Sequence, residues 1–169
     1  MLGTISKLIN TNPEILLYYM KRKLTTGSGR IADTFLMSLK EIQPSQLYVS
    51  SEKLSRVLEV LGSGGSGSLE PIPVKELNGE IVSTDGHTRA LALHMKGFSE
   101  VEVEWEDTEL DWEAYEICVA WCKEEGVFSI ADLRNRIVEP PEYMVLWLDR
   151  CRKMQEVLET RRSESKKLS

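Results

Sequence analysis

The sequence predicts an α+β fold, a small sheet flanked by N-terminal and C-terminal helices, and three observations predict it. Ile72, Val74 and Leu77 alternate before Asn78-Gly79, and Ile81 and Val82 follow it, which is the pattern of a hairpin closed by a type I′-like turn. A second alternating run, "SEVEVEW", places Val101, Val103 and Trp105 on one face and Glu102 and Glu104 on the other. From Asp111 onward every segment carries helical spacing and helix caps.

The N-terminal flank opens with Asn12 as a cap and Pro13 at the first helical position, so a helix is expected over Pro13 to Lys23 with Ile15, Leu16, Tyr19 and Met20 facing inward. "TTGSGR" ends it. A second helical piece is expected around Ile31 to Ser38, and Leu39 to Ile42 reads as a strand stopped by Pro44. Ser51 is the expected cap of a helix over Glu52 to Leu61. "GSGGSGS", residues 62–68, has the composition of a flexible coil and reads as an engineered or flexible linker in place of another loop.

After the hairpin, "TDGHTRALALHMKG" is a loop and helix closed by Gly97, leading into the second alternating strand. Asp111 caps "WEAYEICVAWCKEE", Gly126 stops it, and Ser129 with Asp132 forms a capping box for "IADLRNRIV". The prolines of "EPPEYM" start a long amphipathic helix carrying Tyr143, Leu146, Trp147 and Met154, whose last polar stretch is expected to fray. The expected division is residues 1–37 as N-terminal helices, 38–107 as the sheet-bearing domain and 108–169 as a helical extension.

Bulk numbers narrow the function classes. The formal charge of −6 argues against a generally basic nucleic-acid binder, and between Glu100 and Glu125 the sole basic residue is Lys123. Cys118, Cys122 and Cys151 form no CxxC pair and just two histidines, His87 and His94, accompany them, so neither a disulfide framework nor a zinc site is expected. No signal peptide and no twenty-residue apolar run interrupts this picture; a reducing cytoplasm and no membrane partner are the expectation. The four tryptophans, Trp105, Trp112, Trp121 and Trp147, sit at core spacing and read as packing anchors.

"STDGHTRALALH", residues 83–94, concentrates the chemistry. Gly86 lets the backbone turn sharply and lets a ligand approach without a Cβ in the way. The amides that open the following helix have no partner within it and attract phosphate or carboxylate. Thr88 adds a hydroxyl, Arg89 a planar fork for two phosphate oxygens, and His87 a ring donor. Asp85, just outside, is placed to hold a magnesium ion or to accept a proton from an attacking hydroxyl. The same residue types also fit a plain helix start, with Asp85 as cap and Arg89 paired to a glutamate.

Set between strand and helix and preceded by "QPSQL" and "PIPV", "DGHTRA" resembles the ParB/sulfiredoxin superfamily, whose shared motif of a glycine, two variable residues and an arginine is matched by Gly86, His87, Thr88 and Arg89. The resemblance covers about residues 38–105 and implies a small mixed sheet of ParB/sulfiredoxin type that binds a nucleotide. Sulfiredoxins place a reactive cysteine where this chain has His87, which removes that chemistry. Chromosome-partitioning members bind CTP and add a basic helix-turn-helix; Asp111 to Glu125 and Ile130 to Val138 mimic one, but the first is acidic and the second offers DNA just Arg134 and Arg136. Free-serine kinases share Asp85, Gly86, His87 and Arg89, which implies ATP or ADP with Mg2+ and Asp85 near the metal and the reacting hydroxyl. Their glutamate shortly after the proline matching Pro44 is replaced by Ser45 and Gln46, leaving Glu52 as the substitute if the loop folds back.

Two functional expectations follow: a nucleotide-binding protein that phosphorylates a small hydroxylated substrate such as free serine, or a non-catalytic, nucleotide-switched, DNA-associated module. In either, the exposed side of the last helix is available to pair with a second copy as a homodimer.

Overall fold

A computed structural model describes residues 34–63 and 70–168. The helix expected over Pro13 to Lys23 and most of the Gly/Ser stretch lie outside these residues. The described chain has the α+β architecture expected from the sequence, built on a mixed five-stranded sheet.

Strand β1 (Thr34–Ser38) is antiparallel to β6 (Glu100–Trp105), β6 runs parallel to β4 (Ile72–Leu77), β4 is antiparallel to β5 (Glu80–Ser83), and β5 runs parallel to the two-residue β2 (Gln43–Pro44). The helix expected around Ile31 to Ser38 is therefore a strand from Thr34 on. Its register sets Met37 opposite Val101 and Phe35 opposite Val103, so long-range pairing overrides a local pattern that fits either period. Leu39 to Ile42 is likewise not a strand: the chain turns there, with Leu39 N–H donating to Ser99 O, and pairing resumes at Gln43. The two apolar side chains of that turn, Leu39 and Ile42, are buried all the same.

The hairpin forms as predicted. Asn78 and Gly79 adopt φ of 52° and 82°, the pair of positive values a type I′ turn demands. Ile72 and Val74 face the same side as Val101 and Val103, and all four are buried. Together with Leu47, Val49, Leu91, Ile130 and Leu133 they form the core.

Helix α1 (Ser51–Gly62) begins one residue early, at Ser50, whose side chain makes no capping bond. Ser51 is inside the helix. A short parallel pair joins β3 (Val49–Ser50), at the head of α1, to β7 (Ile137–Val138). Helix α2 (His87–Met95) packs on α1 and on a 3-10 helix over Ile130–Arg136, and buries Ala90, Leu91, Ala92 and Leu93.

Helix α3 (Trp112–Glu124) starts at Asp111, whose carboxylate accepts from Ala114 N–H as predicted. The Ser129/Asp132 capping box also forms, but the segment it opens is 3-10 rather than α and runs directly into β7. The C-terminal run is α4 (Pro140–Tyr143), a π-helical stretch over Met144–Leu148, and α5 (Asp149–Lys167). Tyr143 and Trp147 are buried while Leu146 is exposed, because the wider π turn rotates it off the inward face. The polar end expected to fray stays helical, clamped by Arg162 across Asp111 and Glu113. Trp121 and Trp147 meet edge to face at 6.3 Å as core anchors, whereas Trp105 is 50% exposed, with its ring 5.3 Å from that of Phe35.

Among the described residues no helix is long and apolar enough to cross a membrane.

Candidate functional site

The motif lies where β5 hands over to α2. Thr84 prolongs the hairpin ladder by one bond, its N–H donating to Pro73 O at 3.0 Å. Asp85 then stands exposed, with Oδ1 accepting from the N–H of Gly86 at 2.7 Å. It caps its neighbour rather than the helix: among the described residues no side chain caps α2.

Gly86 is the N-cap of α2, at φ 73° and ψ 17°. A Cβ there would lie 2.8 Å from Arg89 Nη2 and 2.9 Å from Ile72 Cδ1. Left-handed φ and this crowding both require glycine. The close contact also locates the arginine, whose guanidinium folds back over Gly86 at the start of α2. On its outer side Arg89 Nη1 donates to Glu70 O at 3.3 Å and lies 3.6 Å from Glu70 Oε2, a carboxylate that is largely solvent-exposed. Thr88 is half-buried on the same first turn. Gly86, Thr88, Arg89 and Asp85 are thus gathered around one uncapped helix start, where the dipole and unpaired amides favour an anion.

His87 faces inward. It is buried, and Ser45 N–H donates to its Nε2 at 3.1 Å. With Nε2 an acceptor, the neutral ring carries its proton on Nδ1. Ser45 Oγ donates to Ser83 O at 2.7 Å and approaches Nε2 at 3.4 Å. Burial pushes the His87 pKa down to about 4, although the charge of Asp85 and the carbonyl of Ser83 oppose the fall. In this arrangement His87 joins the loop after β2 to α2, with its ring buried.

Glu52 lies exposed on the first turn of α1, where it is ion-paired with Arg56 one turn on. Gln46 does sit in the loop beside Ser45, and its amide donates to Tyr48 O at 2.7 Å. The loop after β2 therefore reaches His87 through Ser45.

Two neighbours of Asp85 carry no motif signal in the sequence. Tyr115, in the first turn of α3, donates its hydroxyl to Thr84 O at 3.1 Å. Burial raises its pKa, and the charges of Asp85 and Glu106 raise it further. Glu106, just past β6, accepts from Thr84 Oγ1 at 3.2 Å. Its carboxyl is held below the usual range first by the bond to Thr108, with Thr84 contributing. Both residues are distant in sequence, and only the packing of α3 and β6 beside β5 brings them in.

Among the described residues no cluster of three or more His, Cys, Asp and Glu could hold a metal by itself. Magnesium bound chiefly by phosphate oxygens and water needs one or two carboxylates, and the exposed Asp85 beside the start of α2 offers one.

No family model and no curated protein matches this chain. Among solved structures, protein Atu1540 from Agrobacterium tumefaciens matches over 56% of this chain and 49% of its own, at 13% identity and a TM-score of 0.38. SbnI with C-terminal truncation from Staphylococcus aureus matches over 55% of this chain and 42% of its own, at 16% identity and a TM-score of 0.39. The chain thus spans less than half the length of either.

Proposed function

We propose that the start of α2 binds the phosphates of a nucleotide, with Gly86 and the first amides of the helix as cradle, Arg89 as clamp, Thr88 as an added donor and Asp85 as ligand to a bridging magnesium ion. One observation carries the reading: the Arg89 guanidinium folds over a left-handed glycine at a helix start that no side chain among the described residues caps. An arginine fork and free amides aimed at one spot suit a phosphate better than a carboxylate already in water. The resemblance of "DGHTRA" to the ParB/sulfiredoxin motif supports the same ligand.

Transfer of the terminal phosphate to a small hydroxylated acceptor such as free serine is the catalytic form of this reading. Asp85 would then take the hydroxyl proton as well, because Glu52 is paired with Arg56 and Gln46 cannot act as a base. The second reading, a nucleotide-switched DNA-associated module, has less to stand on. Of the two arginines expected to face DNA, Arg136 is held against Glu125 and the ring of Tyr48.

The deciding experiment is calorimetric titration of the protein with ATP, ADP and CTP, with and without magnesium. Arg89→Ala is expected to cost about tenfold or more in affinity, the worth of a charge-assisted fork, without lowering the melting temperature. Unchanged binding in Arg89→Ala overturns the assignment. Magnesium-dependent phosphoserine formation lost in Asp85→Asn marks the kinase form; salt-sensitive DNA retention marks the other.

A further inference from the structure

Thr84, the residue before the motif, is held from three directions. Its N–H donates to Pro73 O of β4, its hydroxyl approaches both Pro73 O and Glu106 Oε2, and its carbonyl accepts the hydroxyl of Tyr115 from α3. That carbonyl belongs to the peptide plane that also carries the Asp85 nitrogen, so whatever fixes it fixes where the Asp85 side chain leaves the backbone. Among the described residues the Asp85 carboxylate is anchored by the N–H of the next residue alone, and Asp85 is exposed.

We propose that Tyr115 is a positioning residue for the nucleotide site: its bond to the Thr84 carbonyl aims the Asp85 carboxylate at a phosphate-bound magnesium ion, making the first turn of α3 part of the site. The inference rests on the phosphate-binding reading above. Tyr115 suits the task because its ring is held apart from the bond, packed at 5.6 Å against Trp112, so the hydroxyl reaches Thr84 from a fixed support. Negative neighbours and burial keep that hydroxyl protonated and donating throughout the neutral range.

The consequence is specific. Loss of the Tyr115 hydroxyl frees one carbonyl while Gly86, Arg89 and the amides of α2 stay where they are. Tyr115→Phe should therefore leave the affinity for metal-free ATP unchanged and reduce, several-fold, the extra affinity that magnesium confers. Asp85→Asn should abolish that increment altogether. A generally loosened fold would weaken both affinities together, so the split between them separates positioning from structural damage.

The test is titration of wild type, Tyr115→Phe, Asp85→Asn and Arg89→Ala with ATP in the presence of magnesium and of chelator, with a thermal melt of each. A reduced magnesium increment in Tyr115→Phe, with unchanged metal-free affinity and melting temperature, is the expected result. A full wild-type increment in Tyr115→Phe, while Arg89→Ala still loses binding, overturns the role of Tyr115 alone. Unchanged binding in Arg89→Ala, or no magnesium increment in the wild type, overturns the underlying reading and Tyr115 with it.

Discussion

The backbone N–H of Ser45 donates to Nε2 of His87 across 3.1 Å, tying the loop after β2 to the first residue of α2 inside the core. Protonation of that nitrogen would turn the acceptor into a donor and set two donors against each other. The fold therefore prefers the neutral ring, and burial lowers the pKa from 6.5 to about 4.

A pH dependence follows from this depressed value. Below pH 6.5 the unfolded chain binds the proton and the folded chain does not, so folded stability falls as pH drops from 6.5 and the loss is complete below about 4. Across that window the shift corresponds to roughly 3 kcal/mol. Urea titrations between pH 7 and 4 should show the decline, and the His87→Gln profile subtracted from the wild-type profile should isolate it. Equal slopes in the two proteins would show that His87 titrates normally in the fold.

Gly86 admits no side chain. Ala at φ 73° costs about 1–2 kcal/mol from the left-handed backbone alone. Its Cβ, moreover, would displace both the Arg89 guanidinium and the buried Ile72 Cδ1. Gly86→Ala should thus lose stability beyond that backbone cost and lose nucleotide phosphate affinity as fully as Arg89→Ala does. Calorimetry beside a thermal melt checks both halves, and retained affinity would mean that Arg89 does not act from over Gly86.

What the sequence discloses is what neighbouring residues decide among themselves. Asn78-Gly79 sets the hairpin, Asp111 its helix start and Gly86 the left-handed entry to α2, and each is read from a few consecutive residues. The β1 strand is not legible because Phe35 and Met37 are placed by Val103 and Val101, more than sixty residues away. The 3-10 form of Ile130–Arg136 escapes too, since a capping box opens an α-helix and a 3-10 helix alike. The site divides the same way. Asp85 to Arg89 announce themselves by adjacency, whereas the inward turn of His87 depends on Ser45, and Tyr115 enters on a helix that the local sequence marks by its Asp111 cap and Gly126 stop.

The three cysteines should differ sharply in reactivity. Cys118 and Cys122 of α3 are buried and Cys151 of α5 is half-buried; interaction with Cys151 and burial raise the thiol of Cys118, whereas interaction with Cys118 and the charge of Arg150 lower that of Cys151 against the effect of burial. Burial pushes the thiol of Cys122 up to about 12, against the lowering effect of Arg150 and Arg136. Because the thiolate is the nucleophile, iodoacetamide at pH 8 should label Cys151 first and reach Cys118 and Cys122 only on unfolding, as peptide mass spectrometry would resolve. Cys118→Ala removes that interaction and should shift the pH midpoint of Cys151 alkylation upward. Cys118→Ser retains a donor and should shift it less. Labelling of Cys118 at the rate of Cys151 in the folded protein would show that the two thiols are not separated in this way.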